Sequence, residues 1–246
     1  IKRLKTSDPA DGKNRVLIMA SIASLLHLLV IYHTSFTAQT IDVGFFSILS
    51  LVGWLIGLLL ILSTFKQPVE CLGIVVFPFA ALSLGLAEGL NQPVYLTRNL
   101  PAGLEFHILM SILAYSMLSI AVVQAILLSI QERHLHNKQP GGFIRALPPL
   151  ETMETLLFSM IGLGFSVLTI SLASGLFYLE NILAQHLVHK TVLSFGAWFL
   201  FGILLWGRFQ FGWRGRTAIR WTISGFILLM LAYFGSKFVI ELVLNR

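Results

Sequence analysis

The stretch "EFHILMSILAYSM" (residues 105–117) sets one histidine, His107, at the mouth of an otherwise apolar run. A second, His27, lies inside another such run, "LLHLLVIYH" (residues 25–33). Imidazole can move a proton near neutral pH, and in its neutral form it can ligate a metal ion. Within an apolar span an ionisable side chain is costly, which points His27 toward a bundle interior and a site there. The competing reading of His27 is a neutral imidazole bonded to a serine, threonine or carbonyl of a neighbouring helix. For His107 the competing reading is an interfacial residue at a helix N-terminus, beside Glu105, whose charge suits the helix dipole. Ser111 and Tyr115 follow His107 by four and eight residues, on the same helical face, and could hold or orient a ligand. In "AQHLVHK" (residues 184–190) His186 and His189 share a helical face, with Glu180 nearby. Two histidines without a closed ligand set support zinc only weakly.

The elements that position these residues follow from composition. Of 246 residues, 56% are hydrophobic and 11% charged, and the mean hydropathy is +0.83. A water-facing domain carries about 25% charged residues, so the expected class is an all-α polytopic transmembrane bundle. Seven runs are long enough to cross about 30 Å of hydrocarbon: 16–33, 43–65, 68–88, 106–130, 153–178, 191–207 and 218–244. They are too long and too evenly apolar for barrel strands. Residues 1–15 read as a basic arm and 16–246 as one membrane domain. His27 lies eleven residues into its span, about 17 Å from the start. Pro78 should kink the third span without ending it. Gly53 with Gly57, and Ser171 with Gly175, are small-xxx-small steps that mark close helix contacts. A single cysteine, Cys71, excludes an internal disulfide. The expectation at the start of the chain is no cleavable signal peptide and, since the first residue is Ile1, room for one more span upstream.

The basic residues predict orientation. Lys2, Arg3, Lys5, Lys13 and Arg15 precede the first span, Lys66 follows the second, and Arg133, Lys138 and Arg145 follow the fourth. Arg208, Arg214, Arg216 and Arg220 cluster around the sixth connection, "FGWRGR" (residues 211–216). Only Arg98, Lys190, Lys237 and Arg246 fall on the other side. Positive residues favour the cytoplasm, which puts the N-terminus inside and the C-terminus outside. On that reading Trp213 sits at the headgroups and the neighbouring arginines meet anionic lipid. The net charge of +6 is then a topology signal, and no nucleic-acid partner is expected. His27, His33, His107, His186 and His189 fall in the outer half.

Several stretches, in order, resemble the cytochrome c assembly, haem-handling membrane family of the CcsA/CcmC type, and within it the short YpjD-like inner-membrane branch. They are "LLHLLVIYH", "FHILMSILAYSML" (residues 106–118), "LPPLETMETLLFSMIGLGFSVLTISLASGLFY" (residues 147–178) and "GWRGRTAIRWTISGFILLMLAYFG" (residues 212–235). The resemblance covers most of the chain. It implies haem as the cofactor, held by membrane-embedded and external histidines and delivered toward an apocytochrome outside. By position His27 matches the embedded histidine and His107 the first external one. The tryptophan-rich segment of the family has no counterpart in "YLENILAQHLVHKTVLSFGAW" (residues 178–198) before Trp198. Trp206 stands where the second embedded histidine is expected, and the chain ends "SKFVIELVLNR" where the second external one would follow.

No nucleotide loop, hydrolase elbow or zincin motif occurs, so no enzymatic activity is expected. Glu70 and Glu88 stand at opposite ends of the third span and form no proton-relay series. Three functions therefore compete. One is a haem-binding or haem-handling protein of the bacterial inner membrane, with His27 and His107 lining an outward-facing chamber. Another is a scaffold or accessory subunit that kept the fold without the cofactor. The third is a small-molecule or ion transporter. The partners expected are the lipid bilayer and a haem-accepting or other membrane protein. The charge asymmetry is checked by alkaline phosphatase and fluorescent-protein fusions after Arg145, Arg216 and Arg246. Fluorescence is expected at the first two and phosphatase activity at the last; phosphatase activity at Arg216 would overturn the topology.

Overall fold

The computed structural model of the chain describes residues 9–35, 40–90, 93–97, 100–138, 141, 147–178 and 185–235. It is a bundle of seven helices, each long and apolar enough to cross a membrane. The helices are α1 (Pro9–Ser35), α2 (Phe45–Thr64), α3 (Gly73–Gly89), α4 (Ala102–His136), α5 (Leu150–Tyr178), α6 (Gln185–Phe211) and α7 (Arg216–Met230). A single turn, Glu70–Leu72, leads into α3, and a π-helical turn, Leu231–Gly235, extends α7. All seven expected spans are present. Helix α3 continues through Pro78, as expected in a bundle where neighbours can satisfy a freed carbonyl. Beyond Gly235 the seventh expected span lies outside the described residues, as do Lys2, Arg3, Lys5, Arg98, Arg145, Glu180, Lys237, Arg246 and the side chain of His186.

One feature has no counterpart in the hydropathy pattern. Thr40–Asp42 (β1) pairs antiparallel with Tyr95–Thr97 (β2), Ile41 opposite Leu96. Asp42 closes this ribbon: its carboxylate accepts from Gly44 N at 2.8 Å, Val94 N at 2.9 Å and the Ser47 hydroxyl. The ribbon ties the connections entering α2 and α4 together at one end of the bundle. Tyr178 at the end of α5 packs on Gly103 at the start of α4, and Phe234 packs edge-on against Phe45 at 5.4 Å, so α5 and α7 finish at this same ribbon end.

The opposite end is basic. Among the described residues every Lys and Arg except Lys190 lies within about two turns of it. There Lys13 pairs with Glu70, and the α6–α7 connection is fastened to the body. Gly212 (φ 65°) and Gly215 (φ 56°) take left-handed backbone that glycine adopts without strain. Gly215 N donates to Glu154 at 2.9 Å, Arg216 lies 3.4 Å from Glu132, and Arg208 donates to the Trp213 carbonyl while covering the ring of Phe158. Trp213, expected at the headgroups, lies in this connection at the basic end. It is half-buried, packed on Gly207 and against Trp221 at 5.5 Å, because the two glycines fold the loop back onto the bundle.

Helix α4 is central, packing on α5 most extensively and also on α7 and α2. In hydrocarbon, helices gain little from the hydrophobic effect, so close packing and interhelical hydrogen bonds must hold them. The α4–α5 seam supplies both. Leu118 fills the notch at Gly164, Gln124 donates to the Met153 carbonyl at 2.9 Å, and Gln131 donates to the Pro148 carbonyl at 2.8 Å. Gly53 in α2 likewise receives Ser83 of α3, the close contact its spacing with Gly57 predicts. A Cβ on Gly164 would lie 2.7 Å from Leu118 Cδ2. Gly164→Leu is therefore expected to destabilise the detergent-solubilised protein by about 1–3 kcal/mol, read as a lowered melting temperature. An unchanged melting temperature would show that the seam is looser than its geometry.

Candidate functional site

His107 lies in the second turn of α4, half-buried, at the ribbon end. Its Nδ1 is 2.9 Å from the carbonyl oxygen of Ser171 and 3.2 Å from the Ser174 hydroxyl, both on α5. The ring edge lies over Gly175, where a Cβ would come within 2.9 Å of Cε1. The small-xxx-small step at Ser171 and Gly175 is thus a berth for an imidazole rather than for helix backbone. Ser111 donates to the His107 carbonyl at 2.7 Å and lies 2.8 Å from the Ser171 hydroxyl.

Beside this berth is a cavity of about 320 Å³. His107, Ser111 and Tyr115 of α4 line it as expected from their spacing, together with Ser171, Lys190 and Tyr233. Its remaining walls are mostly apolar, including Ile48 and Val52 of α2 and Leu229 of α7. Such a space is at the small end of ligand pockets, which run to about 300–1,000 Å³. A second cavity of about 230 Å³ adjoins it, sharing Val43, Ile48, Ile108 and Ile112. Ile31 and Ser35 of α1 and Glu105 of α4 line this second space, so the ribbon ends of the first and fourth helices meet around it.

His27 is placed differently. It is 7% exposed, so it faces the bundle and not lipid, and its Nε2 is 2.9 Å from the Ser50 hydroxyl of α2. Among the described residues lining the 320 Å³ cavity, His107 is the only histidine. The shared chamber expected for the two histidines is therefore divided: His107 is in its wall, and His27 is turned to Ser50. The physical reason is that an imidazole in hydrocarbon takes the nearest polar partner, and Ser50 is one helix away. Trp54 Nε1 donates to the Ser24 carbonyl at 2.9 Å and fastens the same α1–α2 contact.

The other histidines gather no site. His33, His134, His136 and His189 are exposed or near-exposed at helix ends, and among the described residues no group of three His, Cys, Asp or Glu side chains is set to hold a metal ion. Sequence reasoning missed Lys190 and Tyr233 as cavity residues. Lys190 registers in the sequence only as a charge, and Tyr233 only as part of an apolar run. The fit to haem rests on donor chemistry. A ring nitrogen of His107, Nε2, makes no hydrogen bond among the described residues and belongs to a residue lining an apolar cavity. One imidazole donor with apolar walls is what a haem iron accepts.

Comparison with known proteins identifies the family. The family model described as Cytochrome C assembly protein matches residues 16–244. Inner membrane protein YpjD of Escherichia coli is 36% identical over 169 residues, 69% of this chain and 64% of YpjD, so the match spans less than two thirds of that relative. An uncharacterized 28.8 kDa protein of Azospirillum brasilense is 35% identical over 144 residues, 58% of this chain and 53% of that protein. Cytochrome c biogenesis protein CcsA of Gloeobacter violaceus is 28% identical over 103 residues, 41% of this chain and 30% of CcsA. No solved structure matches the chain.

The His27–Ser50 contact yields a stability test. Ser50→Ala leaves a buried imidazole without its partner and is expected to cost about 1–3 kcal/mol. Replacing both, in His27→Leu with Ser50→Ala, is expected to recover most of that loss in melting temperature. Equal melting of wild type and Ser50→Ala would remove the structural role assigned to the pair.

Proposed function

The chain belongs to the cytochrome C assembly protein family, and from that premise we propose that it binds or handles haem in the ribbon-end cavity, with His107 as the iron ligand. The observation that carries this reading is the unbonded Nε2 of His107 beside an apolar cavity. Haem, when bound, would supply an iron that accepts a neutral imidazole nitrogen such as that of His107. The chain's residues do the rest. Ser171 and Ser174 hold the ring, the walls from α2 and α7 exclude water, and Lys190 places a cation in the lining that suits a porphyrin carboxylate. Its role is binding and transfer, without bond-making chemistry of its own. It works as a multi-pass protein of the bacterial inner membrane, N-terminus cytoplasmic and C-terminus external. The relative named as an inner membrane protein and the seven spans support the membrane placement, and the basic residues gathered at one end support the orientation. The cavity then faces outward, toward a membrane or external partner that accepts haem. CcsA, a relative named for cytochrome c biogenesis, supports that direction.

A scaffold that kept the fold without the cofactor is the competing reading. It is favoured by His27, whose Nε2 is committed to Ser50. The two readings part on the visible spectrum of protein titrated with haemin. A Soret band is expected in the wild type. His107→Ala should weaken haemin binding at least about tenfold, or 1.4 kcal/mol. His27→Ala should shift the affinity much less. A wild type that never develops the band would leave the scaffold reading, and a band unchanged in His107→Ala would move the ligand elsewhere.

A further inference from the structure

The contacts of His107 determine more than its position. We propose that Ser171, Ser174 and Gly175 are positioning residues that hold His107 as the Nδ1–H tautomer and so present an Nε2 lone pair to the cavity. The argument is one of donors and acceptors. The Ser171 carbonyl oxygen, 2.9 Å from Nδ1, can only accept, so the proton must be on Nδ1. The Ser174 hydroxyl is consistent with this. It donates its own proton to the same carbonyl at 2.7 Å, so toward Nδ1 at 3.2 Å it too can only accept. Neighbouring hydroxyls complete the chain. Ser111 donates to the His107 carbonyl, so in the 2.8 Å contact between Ser111 and Ser171 the Ser171 hydroxyl is the donor. The assignment rests on the Ser171 and His107 carbonyl oxygens, which can only accept.

Gly175 fixes the third coordinate. A Cβ there would lie 2.9 Å from Cε1, 3.2 Å from Nδ1 and 3.7 Å from Nε2 of His107. The missing side chain therefore lets the ring lie close against α5 with its Nδ1 edge inward, which leaves Nε2 as the nitrogen directed away from the seam. His27 has the reverse arrangement, with Nε2 the engaged nitrogen. Of the two candidate ligands, His107 alone is prepared to donate through Nε2. A partner on the far ring nitrogen also raises the basicity of a ligating imidazole, and loss of such partners costs metal sites about 10–100-fold in affinity.

The use of the lone pair for iron rests on the function proposed above, but the tautomer itself does not, and the test separates them. Protein carrying ¹⁵N-labelled histidine is examined without haem, in detergent, at about pH 8.5, above the ordinary imidazole range. Long-range ¹H–¹⁵N correlations distinguish protonated from unprotonated ring nitrogens, and the His107 signals are identified by their loss in His107→Gln. A protonated Nδ1 with an unprotonated Nε2 is expected; a protonated Nε2, or an averaged pair, would overturn the proposal. In Gly175→Ala the ring is displaced, so mixed tautomers are expected along with haemin binding weakened about tenfold. An unchanged tautomer and affinity in that variant would remove Gly175 from the device. If the variant does not fold, the wild-type spectrum still decides the tautomer. The Nδ1–H form in a protein that binds no haemin would uphold the positioning and refute the haem reading.

Discussion

The α4–α5 seam is the constraint on which the rest of this structure depends. In lipid, two apolar helices gain nothing by hiding from solvent, so what holds them is contact at close range and polar groups with nowhere else to bond. Along this seam both occur from end to end. Gln131 and Gln124 reach carbonyls at the entry of α5, Leu118 sits in the notch of Gly164, and His107 lies on Gly175. Among the described residues the amide oxygens of Gln124 and Gln131 find no partner, and the seam contacts use the donor halves of these amides. Each contact is local, yet together they fix the register of two long helices. That register brings Ser171 opposite His107, 64 positions away in sequence.

Around this rigid pair the bundle loosens outward. Helix α1 has 11% of its apolar window buried and α6 has 22%, against 56% for α4. The peripheral helices are attached at a few polar points. For α1 these include Lys13 with Glu70, Ser24 with Trp54 and His27 with Ser50, spread along its length. For α6 they include Trp198 with Thr169 and the glycine-rich turn into α7. A histidine used to fasten a loosely packed helix and a histidine set beside a cavity are physically different things. That distinction follows from which ring nitrogen is engaged, not from depth in the membrane.

The spans were legible in the sequence because each apolar run is long against the thickness of hydrocarbon, and no packing detail is needed to see them. The ends were less legible. Helix α4 runs on through "QERHLH" to His136, because helix geometry persists in water after hydropathy has fallen. The ribbon closed by Asp42 is only three residues deep on each strand, too short for a period-two pattern to register. The functional residues were legible singly. His107, Ser111 and Tyr115 share a face by arithmetic, and Ser171 with Gly175 reads as a small-residue step. What one sequence does not contain is that the two patterns face each other, since nothing in the composition of either helix names its neighbour.

The departure from the family pattern at Trp206 takes a physical meaning from this arrangement. Trp206, at the position expected for an embedded histidine, is exposed on α6 and meets Phe211, so that helix offers no donor there to the interior. The ribbon-end cavity consequently has a single histidine among its described lining residues, with Lys190 and two tyrosine rings, Tyr115 and Tyr233, as its other large polar-tipped groups. On the function proposed above, the described lining would offer a bound haem one strong donor, His107. Such a site would suit transfer under the function proposed above, provided His107 keeps its lone pair toward the cavity.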